Sequence, residues 1–452
     1  MIRSPLQPLP APRATVATIA SAGATTARAG RWAPCLALGL ALACGGEEER
    51  APAGAASAPA SPPAAAPAQA EAASTTPDDL PRGLMLSLSP FEVSPEGKVL
   101  PKPTAARLEI LTREGGAWKV RAITDPDSNV FHKAIAFDGG ILTLGGTAAA
   151  LKLWRPDATG TDYTSETLWT KDFGGRFSRM RDAEVADLDG DGRPDLAVAT
   201  HDQGVVAIVK QGAGGAWEVE EIDHEKDTFV HEIEVGDLDG DGVVEVYATP
   251  SEPNRLDGTP QPGTVTRYVP ARDEGRAVVA DLGDRHAKEI LVSDVDGDGR
   301  DELYVAVEAV SGGRVEIRRY DAGTPPTGGA VIAELDDTQT RFLTAGDVDG
   351  DGRREMVAAG MKSGLWLLRP GPAPATAPWT KSQIDARSGG FEHASTLADL
   401  DGDGRDELYV ASDNQGEVRR YVWRDGSWAR EVIHTRKPAG SAFTWNLNPI
   451  PR

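Results

Sequence analysis

From about residue 82 onward the chain is built of short apolar runs separated by turns rich in Asp and Gly. The last complete unit shows the pattern most plainly. Residues 392–398 predict a short strand, an acidic loop follows, and 407–411 have the apolar density of a strand buried on both faces. Residues 417–423 predict a third strand, Asp425-Gly426 a turn, and 428–434 a fourth strand. Four strands in roughly fifty residues make one antiparallel blade.

Two other units lack an acidic loop. Residues 131–173 keep the order of parts, with strands at 132–137, 141–144 and 151–154 and a turn at Asp138-Gly139-Gly140. That turn carries a single carboxylate, so no metal is expected there. Residues 84–88, 108–111 and 118–123 read as the second, third and fourth strands of a blade whose first strand is missing. Residues 442–447, beyond the last full blade, can supply it, and closing a ring this way removes exposed sheet edges. The expected fold is all-β: a seven-bladed β-propeller of four-stranded antiparallel blades, closed by a blade shared between the two ends of the chain.

The acidic loops sharpen this picture. Five copies of D-x-D-G-D-G-x-x-[DE]-apolar begin at Asp187, Asp237, Asp294, Asp347 and Asp399, 50 to 57 residues apart. Carboxylates hold positions 1, 3, 5 and 9, and glycine holds position 6, where a tight turn is easiest without a Cβ. Four carboxylates so close repel one another unless a cation sits among them. Hard oxygens at this spacing, with a backbone carbonyl at position 7, are a Ca²⁺ donor set, so up to five ions are expected. By position the ligands are Asp187, Asp189, Asp191, the carbonyl of Arg193 and Asp195 in the first loop. The second loop offers Asp237, Asp239, Asp241, Val243 and Glu245, and the third Asp294, Asp296, Asp298, Arg300 and Glu302. The fourth offers Asp347, Asp349, Asp351, Arg353 and Glu355, and the fifth Asp399, Asp401, Asp403, Arg405 and Glu407. An EF-hand would need a bidentate Glu at position 12 and an exiting helix. Position 12 is Val198, Ala248, Val305, Ala358 or Val410, inside an expected strand. The bound ions would therefore brace blades, since metal binding at such loops is folding energy.

Composition adds exclusions. The formal net charge of −22 argues against a nucleic-acid partner, which needs clustered Lys and Arg. The only two cysteines, Cys35 and Cys44, lie near the N-terminus and cannot staple the fold. Arg28 and Arg31 precede an apolar run, 32–43, too short to span a membrane and of the length of a secretory signal. Residues 1–44 are thus expected to be an export segment. Residues 45–80, mostly Ala, Pro and Ser, read as a disordered tether, leaving 81–452 for the propeller.

Two resemblances follow from these residues. Ala43-Cys44 after the apolar run resembles the lipobox of bacterial lipoproteins, although Ala41 stands where the pattern usually has Leu. That resemblance implies lipidation of Cys44, secretion and anchoring to the bacterial outer membrane, with no other membrane contact. The five loops and their period resemble the FG-GAP/VCBS repeats of the integrin α-subunit head and of bacterial secreted proteins. The resemblance implies a seven-bladed propeller with Ca²⁺ between the first and second strands of some blades. It implies less about activity, because one fold hosts many functions.

Six residues before each acidic loop, or its degenerate equivalent, stand His132, Arg181, His231, Lys288, Arg341 and His393. The fold would gather them at the start of the innermost strands, opposite the metal loops. Such a ring suits an anionic glycan or a protein ligand. The alternative is blade-to-blade pairing with acids such as Asp182, Glu232, Glu289 and Glu392. The expected role is therefore that of a monomeric surface-binding or adhesion module rather than an enzyme. A carbohydrate-active enzyme, a polysaccharide lyase or hydrolase using His231-Glu232 or His393 as acid and base, is the second reading. Trp118, Trp217, Trp379 and Trp428 recur near the third-to-fourth strand turn, which favours packing between blades. The irregular insertion 250–263 could shape a pocket or be decoration.

Overall fold

The computed structural model describes residues 82–450, apart from 148, 160–161, 175–177, 202, 213, 251, 256 and 311. The expected export segment, the tether and Cys44 lie outside the described residues.

The described chain forms seven antiparallel sheets of four strands each, one of them extended by a short fifth strand. Blade 1 joins the two ends of the chain, as the missing-strand pattern predicts. Ala442–Ile450 pairs antiparallel with Gly83–Val93, which pairs with Ala106–Glu114 and then Ala117–Asp125. Blades 2 to 7 begin with Phe131–Phe137, Met180–Ala186, Val230–Gly236, Ala287–Ser293, Thr340–Gly346 and Ser395–Ala398, and each adds its next three strands in sequence order. These first strands touch one another from blade to blade, and Ala442–Ile450 touches both Ser395–Ala398 and Phe131–Phe137. The seven innermost strands therefore form a closed ring. One strand was not foreseen: Val99–Pro103 turns back on the end of Gly83–Val93 as an extra hairpin.

The core is divided among the blade interfaces, and the strand period of two explains how. Leu196 and Val198 face blade 2, where they meet Leu142, Leu144 and Leu153; Ala197 and Ala199 face blade 4, where they meet Ile233, Val246 and Ala248. In blade 1, Met85 packs toward Phe131 and Trp154 of blade 2, whereas Leu84, Leu86 and Leu88 pack toward Tyr409 and Ala411 of blade 7. Second strands such as Asp195–Thr200, Glu245–Pro250 and Glu407–Ser412 are buried along their whole length, which is why they read as continuous apolar runs. The outermost strands, such as Trp217–His224, are mostly exposed and correspondingly polar. Burying each second strand from both sides makes every blade depend on its two neighbours.

Candidate metal centres and the opposite mouth

Each acidic loop connects the first and second strands of blades 3 to 7, and its own side chains fold it. In the loop at Asp187, the first carboxylate accepts the N–H groups of Gly190 (2.8 Å) and Gly192 (2.9 Å). The loops at Asp294 and Asp347 repeat this pair of bonds. Position 6 lies in the left-handed region, from φ 81° at Gly352 to 90° at Gly299, so glycine is required there. The fifth-position Asp accepts the N–H of position 7, as in Arg193 to Asp191 at 2.9 Å. The ninth-position acid is nearly inaccessible, at 2 % exposure for Glu302 and 3 % for Asp195. It accepts the N–H of position 2: Leu188 to Asp195 at 3.1 Å and Val348 to Glu355 at 3.2 Å. Burial pushes the Asp195 carboxyl up to about 6, and those of Glu302, Glu355 and Glu407 up to about 7.

Five Asp-rich groups could each hold a metal ion. In every loop at least three carboxylates bring an oxygen within 4.8 Å of the others. The loop at Asp294 gathers all four expected acids, Asp294, Asp296, Asp298 and Glu302. Elsewhere one acid stands apart: Asp191 in the first loop, and Glu245, Glu355 and Glu407 in the second, fourth and fifth. The Arg193 guanidinium contacts Asp191 at 2.9 Å. In the fourth loop, Asp349 Oδ1 is buried with no hydrogen-bond partner. Convergent hard oxygens, with one buried and unsatisfied, fit a hard divalent cation. Position 12 of every loop lies inside a second strand, as expected, which excludes an EF-hand helix.

Sequence reading missed two layers behind the loops. The first is a cation from the third strand of the same blade. Lys210 reaches Asp189 at 3.0 Å, and Arg267 reaches Glu245 at 2.6 Å. Arg319 contacts Asp296 at 2.5 Å and Glu302 at 3.2 Å, and Arg369 contacts Asp349 at 2.7 Å and Glu355 at 2.9 Å. Arg420 contacts Asp401 and Glu407 in the same way. Next to it, Tyr304 donates to Glu302 (2.7 Å) and Tyr409 to Glu407 (2.8 Å), with Tyr247 on Glu245 likewise. The second layer is a latch between neighbouring loops. Asp301 accepts the N–H of Asp237 at 3.0 Å, and Asp406 accepts that of Asp347 at 2.8 Å, each from the next blade. This approach leaves no room for a Cβ at the preceding residue. One built on Gly346 would lie 2.4 Å from Asp406 Oδ2, and one on Gly236 2.2 Å from Val292.

The tryptophans behave as packing residues. Trp379 meets Tyr304 of blade 5 at 5.6 Å, Trp217 meets Phe137 of blade 2 at 5.5 Å, and Trp118 meets Tyr409 of blade 7 at 6.2 Å. Trp428 packs against the apolar cluster shared by blades 6 and 7. The insertion 250–263 is tied down by Glu252 on Lys288 (2.8 Å) and by Arg255 on Glu225 and Thr228.

The six basic residues occupy the start of the innermost strands, or just before it for His393, but all six are buried. His132 Nδ1 lies 2.6 Å from the Met180 carbonyl, and His231 Nδ1 2.8 Å from that of Lys288. Arg181 lies against the His231 ring, and Arg341 pairs with Glu392. His393 bonds Ser388 (2.7 Å) and the Gly360 carbonyl (2.8 Å). Burial depresses all three imidazoles, His393 to about 4 and His132 and His231 well below their ordinary value. Of the four acids considered as partners, Glu392 pairs as described and Glu232 lies 3.6 Å from His231. Asp182 pairs with Lys133 (2.8 Å) and also accepts the N–H of Ile233 in the next blade, while Glu289 accepts that of Leu343. These bonds satisfy N–H groups that the innermost strands leave unpaired at their inner edge.

Aromatic side chains surround the same end. Arg341 lies over the Phe391 ring at 4.4 Å, and Arg181 lies 5.8 Å from the Trp445 ring. Phe391, Phe443 and Trp445 contact one another, and Trp445 stands edge-on to His132. The buried Nε of Arg181, Nε of Arg341, Nε2 of His132 and Nε1 of Trp445 have no hydrogen-bond partner.

Repeated acidic loops on a closed ring of antiparallel blades define an FG-GAP-repeat β-propeller. The FG-GAP-like repeat family matches residues 187–248 and 294–358, which contain the first four loops. A Lactobacillus plantarum protein of known structure is 11 % identical, with a TM-score of 0.50 over 82 % of this chain and all (100 %) of its own. The periplasmic gluconolactonase PpgL of Pseudomonas aeruginosa is 17 % identical, with a TM-score of 0.48 over 81 % of this chain and 99 % of its own. Such identities concern the fold alone. No curated protein matches the chain.

Proposed function

We propose that this is a calcium-braced binding propeller, exported and tethered to a bacterial outer membrane through Cys44, that recognises an acidic glycan as a monomer. The five Asp-rich groups support calcium, because hard, flexible carboxylate cages of this kind favour it over softer-ligand metals. Recognition is assigned to the end of the ring opposite the loops. The observation that carries it is the pairing of aromatic faces with guanidinium groups there, Arg341 on Phe391 and Arg181 on Trp445. Phe391, 37 % exposed, is accessible to a ligand. A sugar ring stacks on an aromatic face while its carboxylate meets cationic donors, which is the chemistry this end offers.

Because the six basic residues are buried, replacing them would disturb the ring as well as any binding. Phe391→Ala is the cleaner probe. Binding to a panel of acidic polysaccharides should fall about tenfold or more, as for a central aromatic contact, while the fold is kept and melting falls by no more than a few degrees. Undiminished binding by the variant would overturn the assignment. Product release from the same panel would favour the carbohydrate-active enzyme, and binding of an acidic protein alone would redirect the ligand class.

A further inference from the structure

The third-strand cations form a set that the metal-loop motif does not contain. Each of the five acidic loops receives one, from its own blade: Lys210, Arg267, Arg319, Arg369 or Arg420. We propose that these side chains are built-in counter-ions that hold the carboxylates of each loop together without metal and thereby set how strongly that loop depends on calcium. The inference rests on the calcium reading given above.

The contacts divide the loops into two groups. In blades 5, 6 and 7 one guanidinium bridges positions 3 and 9, joining Asp296 to Glu302, Asp349 to Glu355, and Asp401 to Glu407. In blade 3 Lys210 pairs with position 3, and among the described residues no cation bridges it to Asp195. In blade 4 Arg267 meets position 9 and turns its other nitrogen to Glu274, and Arg272 pairs with Asp241 at position 5, so among the described residues no guanidinium joins positions 3 and 9. A planar fork can hold two carboxylates at once, whereas an ammonium acts as a point charge. Arg319 and Arg420 are themselves buried, so solvent screens their charge little.

A positive charge at this place has two effects of the same sign on calcium dependence. It relieves repulsion among the carboxylates when no ion is present, which stabilises the empty loop. It also repels an incoming divalent cation, which weakens binding. Removing the charge should therefore destabilise the calcium-free protein and tighten the calcium-bound one, widening the gap between their melting temperatures. Blades 5 to 7 are the loops that keep their shape without the ion; blades 3 and 4 are the ones that need it most.

The test is a melt of Arg319→Met and Arg369→Met in excess calcium and in excess EGTA, beside Arg319→Lys and the unaltered chain. Calcium binding to the unaltered chain is measured in parallel by isothermal titration. Arg319→Met should widen the calcium–EGTA gap by several degrees, and Arg319→Lys, which keeps the charge but loses the fork, should widen it by less. Arg369 is more exposed, so its Met variant gives the same readout if the buried substitution prevents folding. Equal loss of melting temperature with and without calcium would mean a packing role only and would overturn the inference. If the unaltered chain binds no calcium, the calcium reading and the inference fall together. If it binds but the gap does not widen, only the inference falls.

Discussion

His393 shows how much one side chain can be asked to do in this fold. It adopts φ 60°, a left-handed conformation unusual for a residue with a side chain, and hydrogen-bonds Ser388 and the Gly360 carbonyl from a buried site. Burial holds its imidazole at about 4. Between pH 6.5 and 4 the unfolded chain takes up a proton there that the native chain does not, so this residue lowers stability as the pH falls. The effect amounts to roughly 3 kcal/mol across that window. His393→Asn tolerates the same φ and removes the titration. Urea denaturation at pH 7 and pH 4.5 should show the original chain losing stability on acidification relative to the variant. A constant difference between the two would rule this out. Nothing in the sequence marks His393 as buried: its regular place six residues before the loop suggests a rim, and only packing reveals that the position lies inside.

At the scale of the element, the acidic loop is one end of a relay into the blade interface. Glu302 accepts the hydroxyl of Tyr304, whose ring meets Trp379 of the next blade. Asp406 fixes the backbone of the neighbouring loop at Asp347, and Gly346 is bare so that it can. Gly346→Ala should displace Asp406, break the latch and cost roughly 1–3 kcal/mol of stability, by analogy with overpacked cores. A guanidinium-chloride midpoint that does not move would contradict this. The loops and the doubly buried second strands were legible because each carries a local pattern, nine residues of ligand spacing or an unbroken apolar run. The third-strand cations and the latches were not. An Arg such as Arg319 or Arg369 stands at no fixed distance from its loop in sequence, and strand pairing alone brings the two together. The extra hairpin at Val99–Pro103 escaped for a related reason, since Val-Leu-Pro-Lys-Pro has neither alternation nor an apolar run.

The described residues form a ring in which no blade is complete without its neighbours, and the strand Ala442–Ile450 closes it against Gly83–Val93. This closure was legible because one blade lacked a first strand and the C-terminus had one to spare. Acidic loops join the innermost strands to the second strands in five blades, at the end of the ring opposite the buried basic layer and its aromatic neighbours. The proposed function places bracing at one end and recognition at the other. Bracing by calcium is the claim on which both the function and the counter-ion inference depend. A ligand that binds the native state alone raises its stability with concentration. The most direct test is therefore thermal melting of the intact protein in millimolar calcium and in excess EGTA. The expected result is a melting temperature lowered substantially by the chelator and restored when calcium is added back; the same melting temperature in both solutions would contradict it.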